Sequence, residues 1–412
     1  SSKATTRAWS FCIRRCLCRK PKFRSLYITK IRRKLGLPFT GNILKMRTSS
    51  LVLGLLAFSV PLVSSTSGST RCKNQSGGNV DWFILYKLPK MQKTKGNAFT
   101  PAGGEFLYID SDSPTSARTW TLSSQDLYRP PNPLAYTLAP LYQTAVPQDI
   151  LYVVYNDQSP DRYNGTRNGH SKGVVMFDEA VGIWLLHSAP RFVENLHGGA
   201  YTFPENAREN AQIFVCVTFP ATQLNAIAKQ LRMQYANVYD KGSSMAMRQR
   251  HAQVDLLFKD SFIRGRTMRL SIVDVTSLGG KRFLSVAKRA NLEVDIYSSI
   301  LTGQIKDDLV VQSWRNGAGD RLPNDCNSNY TVTDVDSVKL NLDQSRFIAF
   351  DTTEDHSKWA IAVDKSTFCL GSMNRMESQF KRGGEALCFD NSLVNRLFKR
   401  SAIVNTGCPV RR

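Results

Sequence analysis

Two hydrophobic periods run along this chain. Residues 80–88, 150–155, 174–177 and 213–219 are short apolar runs rich in β-branched and aromatic side chains, and they read as strands. Residues 222–235 space their apolar positions as a helix does, and 392–398 suggest a short terminal helix. Two polar stretches rich in Pro, Asn and Ser, 110–134 and 317–330, read as loops or insertions. Strands with helices between them favour an α/β protein whose sheets are covered by helices. Trp82, Trp184 and Trp359 fall in apolar runs and read as core.

A different pattern precedes all of this. Residues 51–63 are uncharged and apolar, follow Met46-Arg47, and lead into the small residues Ser64-Ser65-Thr66-Ser67-Gly68. That order describes a secretory signal peptide, assigned to about 46–65. The run is shorter than the roughly 20 apolar residues a spanning helix needs, and no later run reaches that length. Residues 1–45 carry 13 of the 55 Lys and Arg, and neither Asp nor Glu. Lying upstream of a signal, this basic leader reads as outside the working protein; a nucleic-acid-binding arm or transit peptide is the alternative. Most of the formal net charge of +22 therefore sits ahead of residue 65.

At 412 residues the chain suits two or three domains, or one large domain built from two halves. Three of the nine cysteines lie in the leader, which leaves Cys72, Cys216, Cys326, Cys369, Cys388 and Cys408. Six cysteines allow three disulfides in any of about 15 pairings, and their wide spacing fits neither a zinc ribbon nor a CxxC redox site. Asn74, Asn164 and Asn329 head N-x-S/T acceptors for glycosylation. Signal, even cysteines and acceptors agree on the secretory pathway.

The chemistry lies in an internal repeat. His170-Ser171-Lys172 is followed by five mostly apolar residues and Asp178, and His356-Ser357-Lys358 by five more and Asp364. After a second apolar step, a two-residue gap brings Ser188 against Ser372 and Arg191 against Arg375. The pattern predicts two copies of a strand-turn-strand unit, one per half, each with its HSK near a strand start. Residues i and i+2 share a face of extended chain, so each HSK sets an imidazole beside an ammonium. Two such pairs make a cationic pocket suited to a phosphodiester: lysines on the non-bridging oxygens, one neutral histidine as nucleophile, one protonated histidine as acid. No metal or other cofactor is needed. The lysines favour neutral imidazoles, which moves the working range toward acid. His187 reads as either a core or a supporting histidine, His197 as a loop residue and His251 as solvated. The pairs Lys281-Arg282 and Lys288-Arg289 read as a solvated face or a phosphate-tracking patch.

The paired HxK units resemble the phospholipase D superfamily, and the surrounding segments closely resemble the deoxyribonuclease II family of acid endonucleases. Those segments include Val80-Asp81-Trp82-Phe83, Trp184 to Ser188, Arg282-Phe283-Leu284 and Ser378-Gln379-Phe380-Lys381-Arg382. The resemblance implies a phospholipase D-like fold of two pseudo-symmetric halves, 72–235 and 236–412, each a helix-flanked β-sheet with one HxK motif. It implies metal-independent cleavage of double-stranded DNA at acid pH to 3′-phosphate and 5′-hydroxyl ends, in the lysosome or outside the cell. His170 would be the nucleophile, His356 the general acid, and Lys172 and Lys358 the phosphate holders. Asn374 is a candidate phosphate-side residue, because Gly371-Ser372 departs from the family and approaches the superfamily's GSxN. The implied disulfides are Cys72–Cys216, Cys326–Cys408 and Cys369–Cys388. A lipid phosphodiesterase and an inactive DNA-binding glycoprotein are the rival readings.

Overall fold

A strand that is apolar at every position has to be covered on both faces. The computed structural model describes residues 70–409 apart from 94–95, 162–164, 166 and 317–318, and it meets that demand with layers. The basic leader, the signal segment and Asn164 lie outside the described residues.

Strands β1 (Trp82–Lys87), β2 (Glu105–Asp110), β3 (Thr121–Asp126), β4 (Leu151–Asn156), β5 (Lys172–Phe177), β6 (Val181–His187), β7 (Gln212–Pro220) and β8 (Val238–Gly242) form one sheet, in the order β3-β2-β1-β7-β6-β5-β4-β8. The second sheet takes β9 (Leu270–Thr276), β10 (Arg282–Lys288), β11 (Leu309–Gln312) and β12 (Val332–Asp334). A small third sheet pairs β13 (Ser337–Asn341) with β14 (Phe347–Asp351). Strands β15 (Trp359–Ala362), β16 (Thr367–Gly371) and β17 (Gly384–Asp390) complete the second sheet, and β18 (Ala402–Ile403) the third. The second sheet runs β12-β11-β15-β16-β17-β10-β9. The pairing of β11 with β12 is parallel, whereas the rest of both large sheets is antiparallel.

The two large sheets share an order. The run β4-β5-β6-β7-β1-β2 matches β11-β15-β16-β17-β10-β9, with the last hairpin traced in the opposite chain direction. Alternate side chains explain the layers. Trp82, Ile84 and Tyr86 of β1, Trp184 of β6, Trp359 of β15 and Leu387 and Phe389 of β17 meet in a central core between the sheets. The opposite faces are covered separately: Phe83 and Leu85 under helix α1 (Pro133–Tyr142), Val286 and Ala386 under the helical segment 297–305. Helix α2 (Leu224–Gln234) and the C-terminal helix Ser392–Ser401 add their apolar faces to the central core, through Leu224, Ile227 and Leu231 and through Leu393, Leu397 and Phe398. The protein is thus a mixed α/β structure of several sheets and few helices.

Three features differ from the sequence expectation or extend it. The polar stretch 110–134 contains edge strand β3, whose TLSSQD buries Ser123 alone and so carries no apolar alternation. Strand β8 lies past residue 235, yet it joins the first sheet through β4. Disulfides Cys72–Cys216, Cys326–Cys408 and Cys369–Cys388 are all formed; the last joins directly paired residues of β16 and β17.

Two polar chains cross the central core between the sheets. Trp359 Nε1–H donates to Tyr86 Oη (3.2 Å), and Tyr86 donates to Asp355 Oδ2 (2.5 Å). Likewise Trp184 Nε1–H donates to Tyr155 Oη (3.0 Å), and Tyr155 to Glu385 Oε1 (3.1 Å). The Gln234 amide donates to Glu385 Oε2 (2.6 Å), and burial pushes the Glu385 carboxyl up to about 7. A carboxyl raised on folding binds more protons folded than unfolded between its two pKa values, so its contribution is complete in acid and is lost as pH rises toward 7. Glu385→Gln should therefore flatten the decline in unfolding free energy between pH 4.5 and 7 by about 3 kcal/mol relative to the parent, measured by denaturant unfolding across pH. An identical pH dependence in the two proteins would refute the assignment.

Candidate active site

The two HSK segments occupy the same place in their sheets. Lys172 opens β5, and Lys358 immediately precedes β15. Each histidine is then held by the opposite sheet. The His170 backbone N–H donates to Gly383 O (2.8 Å), just ahead of β17, and the His356 N–H donates to Ala211 O (2.9 Å), just ahead of β7. The crossing is tight at its first arm. A Cβ on Gly169 or Gly383 would come within 2.3 or 2.1 Å of Gln234 O, so neither position accepts a side chain without displacement of the backbone.

The serines aligned by the repeat are equivalent in the structure as well. Ser188 N–H donates to Ile213 O and its Oγ accepts from Ile213 N; Ser372 N–H donates to Glu385 O and its Oγ accepts from Glu385 N, all at 2.9–3.0 Å. Arg191 and Arg375 part company. Arg375 is buried on Asp334 and Asp295, whereas Arg191 is exposed.

All four side chains of the HSK pairs are at least nine-tenths buried. His170 Nδ1 meets Gln379 Oε1 (2.6 Å) and His356 Nδ1 meets the Ser188 carbonyl (3.0 Å). A carbonyl oxygen only accepts, so Nδ1 carries the hydrogen in each ring and Nε2 is left for chemistry. Burial drives both imidazoles well below their ordinary range; Lys358 and Lys172 add to this at His356, and Lys172, Arg382 and Lys358 at His170, where Asp157 opposes them. These mutual influences place the two histidines and two lysines in one electrostatic cluster. Lys172 ion-pairs with Asp157, and Arg382 Nη2 reaches the other carboxylate oxygen at 3.0 Å. Burial alone would raise the Asp157 carboxyl, but Lys172, His170 and Arg382 outweigh it and hold it well below the usual range. Among the described residues Lys358 has no such partner: its Nζ donates to His356 O (2.6 Å), and burial and Lys172 push it far down.

Several of these residues were invisible in the sequence or misread. Asp157 lies in the turn after β4, and Trp314, whose ring stands edge-on to His356 at 4.6 Å, follows β11. In the sequence Gln379 and Arg382 stand out only as members of the resembling segment 378–382. In the sequence Lys288-Arg289 reads as a solvated face or a phosphate-tracking patch, but Lys288 is fully buried: its Nζ donates to Phe380 O and Arg382 O, which holds the loop bearing Gln379 and Arg382. Its counterpart Lys87, at the matching end of β1, donates to Arg208 O, Gly103 O and Leu88 O and so holds the loop leading to Ala211. Burial lowers these ammonium groups to about 8 for Lys288 and about 7 for Lys87.

Asn374 is buried, and among the described residues its Oδ1 has no hydrogen-bond partner; the next residue's N–H bonds Ser313, which precedes Trp314. The other histidines stay out of the cluster's hydrogen bonding. His187 packs its ring against Phe192 and Phe214, His197 bonds Asp240, and His251 joins two short helices. Among the described residues no three His, Cys, Asp or Glu side chains converge as metal ligands, and no helix is long and apolar enough to cross a membrane. Asn74 is half-buried and Asn329 exposed.

Comparison with known proteins gives the family. A sequence model described as Deoxyribonuclease II matches residues 71–408. Mouse Deoxyribonuclease-2-alpha is 34% identical over 320 residues, covering 77% of this chain and 87% of its own. Deoxyribonuclease-2 of Caenorhabditis elegans is 30% identical over 85% of this chain and 97% of its own. Plancitoxin-1 of Acanthaster planci is 30% identical over 88% of this chain and 100% of its own. The chain belongs to the deoxyribonuclease II family and is a deoxyribonuclease.

Proposed function

We propose that the protein is a metal-independent acid endonuclease that hydrolyses double-stranded DNA to 3′-phosphate and 5′-hydroxyl ends through a phosphohistidine. The observation that carries this reading is the pair of buried rings with Nδ1 fixed and Nε2 left for chemistry, each beside a lysine. In the first step the Nε2 lone pair of His170 attacks phosphorus, the bond from phosphorus to the 5′-oxygen breaks, and His356 passes its Nε2 proton to that oxygen. Water then attacks the phosphohistidine, gives its proton to His356, and releases the 3′-phosphate as the N–P bond breaks. Lys172 and Lys358 bind the non-bridging oxygens where charge builds, and the Asn374 amide serves the same phosphate.

The phospholipase D-like architecture, with halves 72–235 and 236–412, belongs to the same reading. So does an acidic compartment of the secretory pathway, the lysosome first, with glycans at Asn74, Asn164 and Asn329. Three disulfides support an oxidising route.

The acid requirement follows from the sign of the shifts. Burial and the neighbouring cations disfavour imidazolium, so the protonated His356 that the first step requires is populated only as pH falls. Plasmid nicking at pH 5 in EDTA should proceed in the parent and fall by about 10³-fold or more in His170→Ala and His356→Ala. Cleavage abolished by EDTA would overturn metal independence, and unimpaired variants would overturn the mechanism. The ends should resist polymerase extension until treated with phosphatase. Lys358→Met should reduce kcat by about 10²-fold while moving the alkaline limb of the pH profile upward, because the strongest cationic influence opposing imidazolium at His356 is gone.

A further inference from the structure

The two halves of the site are not equal, and the inequality falls at one register position. Strand β4 sets Asn156 opposite Lys172, so Asp157 is the next residue out. Strand β11 sets Gln312 opposite Trp359; Ser313 therefore corresponds to Asn156, and Trp314 to Asp157. One half places a carboxylate there and the other an indole. Asp157 Oδ2 lies 3.9 Å from His170 Nε2 and 3.0 Å from Arg382 Nη2, while Oδ1 takes Lys172. At His356 the Trp314 ring fills the equivalent place, and among the described residues no carboxylate pairs with that imidazole.

The first step moves charge in one direction. As its Nε2 bonds to phosphorus, the His170 ring becomes cationic; as its proton leaves for the 5′-oxygen, the His356 ring becomes neutral. A fixed anion accelerates the step only if it stands by the ring that gains charge. Beside the acid, it would hold the proton back. We propose that Asp157 is a positioning residue that sets the direction of the first step by stabilising the charge growing on His170, and that Trp314 keeps the same help from His356. The inference rests on the phosphohistidine reading above. It also has a consequence which that reading lacks. Hydrolysis of the phosphohistidine returns the His170 ring to neutrality, so Asp157 promotes formation of the intermediate and restrains its breakdown.

The groups that face His170 are Asp157, Lys172, Arg382 and Lys358, and those that face His356 are Lys358, Lys172 and His170. Burial and these cations lower His170, with Asp157 as the one influence raising it, which agrees with the geometry. A residue that merely held Lys172 in place would act through phosphate binding. Its loss would raise KM and slow both steps alike.

Single-turnover reactions on DNA labelled at its phosphates, quenched in alkaline SDS to preserve phosphohistidine, separate these outcomes. Asp157→Asn should slow phosphoenzyme formation at saturating DNA by about 10- to 100-fold, with KM within about threefold and breakdown no slower than in the parent. Asp157→Glu should restore most of the first-step rate. Equal slowing of both steps, or a change confined to KM, overturns the inference. Trp314 is only half-buried, so Trp314→Glu tests the idea without altering position 157. A carboxylate beside His356 should slow phosphoenzyme formation and raise the alkaline limb of the pH profile; an unmoved limb overturns the inference. A parent that cleaves DNA without forming phosphoenzyme refutes the phosphohistidine reading itself, and this inference with it.

Discussion

Everything at the centre of this protein depends on an exchange: the histidine of each HSK unit is hung by its backbone N–H on the other sheet. His170 leans on Gly383 ahead of β17, and His356 on Ala211 ahead of β7. Neither sheet can build its half of the pocket alone. The central core of Trp82, Trp184, Trp359 and Phe389 presses the sheets together, and so fixes the distance across which the exchange is made. A pocket made this way is as rigid as the interior that surrounds it. That matters because charge stabilisation acts only where the groups are already in place.

The cost of such a pocket is buried positive charge. Lys172, Arg382 and the His170 imidazole converge on one carboxylate, Asp157, while among the described residues Lys358 and His356 have none against them, and burial penalises every charged form. The arrival of an anionic phosphate relieves that imbalance, whereas protonation of the imidazoles in acid deepens it and so strengthens the attraction for the anion. The deeper layer follows the same logic. Lys87 and Lys288 meet carbonyl oxygens rather than carboxylates, and Glu385 meets a tyrosine and an amide rather than a cation. In acid the ammonium groups are charged and donate to those carbonyls, and the Glu385 carboxyl is neutral, the form its burial favours. The scaffold therefore suits the acid range proposed for the chemistry, and for reasons independent of it.

Sequence alone reached the parts of this arrangement that burial writes locally. The runs at 80–88, 150–155 and 213–219 are apolar at nearly every position because both faces of β1, β4 and β7 are covered, and such runs are hard to miss. The repeated HSK was legible because its context repeats with it, down to the serines that bond equivalently in the two sheets. Edge strand β3 was not legible, since a strand facing solvent needs no apolar alternation. Nor was Lys288, whose ammonium is satisfied by carbonyls brought from about 90 residues away, a partnership that no local composition encodes. Asp157 and Trp314 escaped for another reason. They correspond through strand register rather than through shared residues, so the comparison that makes them meaningful is the one between a carboxylate and an indole.

That comparison also says what a duplicated site needs. Two identical halves would offer a phosphodiester two histidines with equal claims to attack and to donate, and either outcome would require one ring to gain the charge that the other loses. Symmetry would supply the binding proposed above: two lysines and two Nε2 atoms for one phosphate, with each histidine hung on the opposite half's backbone. Direction has to come from a difference. The difference sits outside the repeated tripeptides, in the turns that follow β4 and β11, where a change of residue leaves both HSK units and their anchors intact. The constraint that keeps the halves alike, their mutual suspension, is thus separate from the position where they are free to diverge.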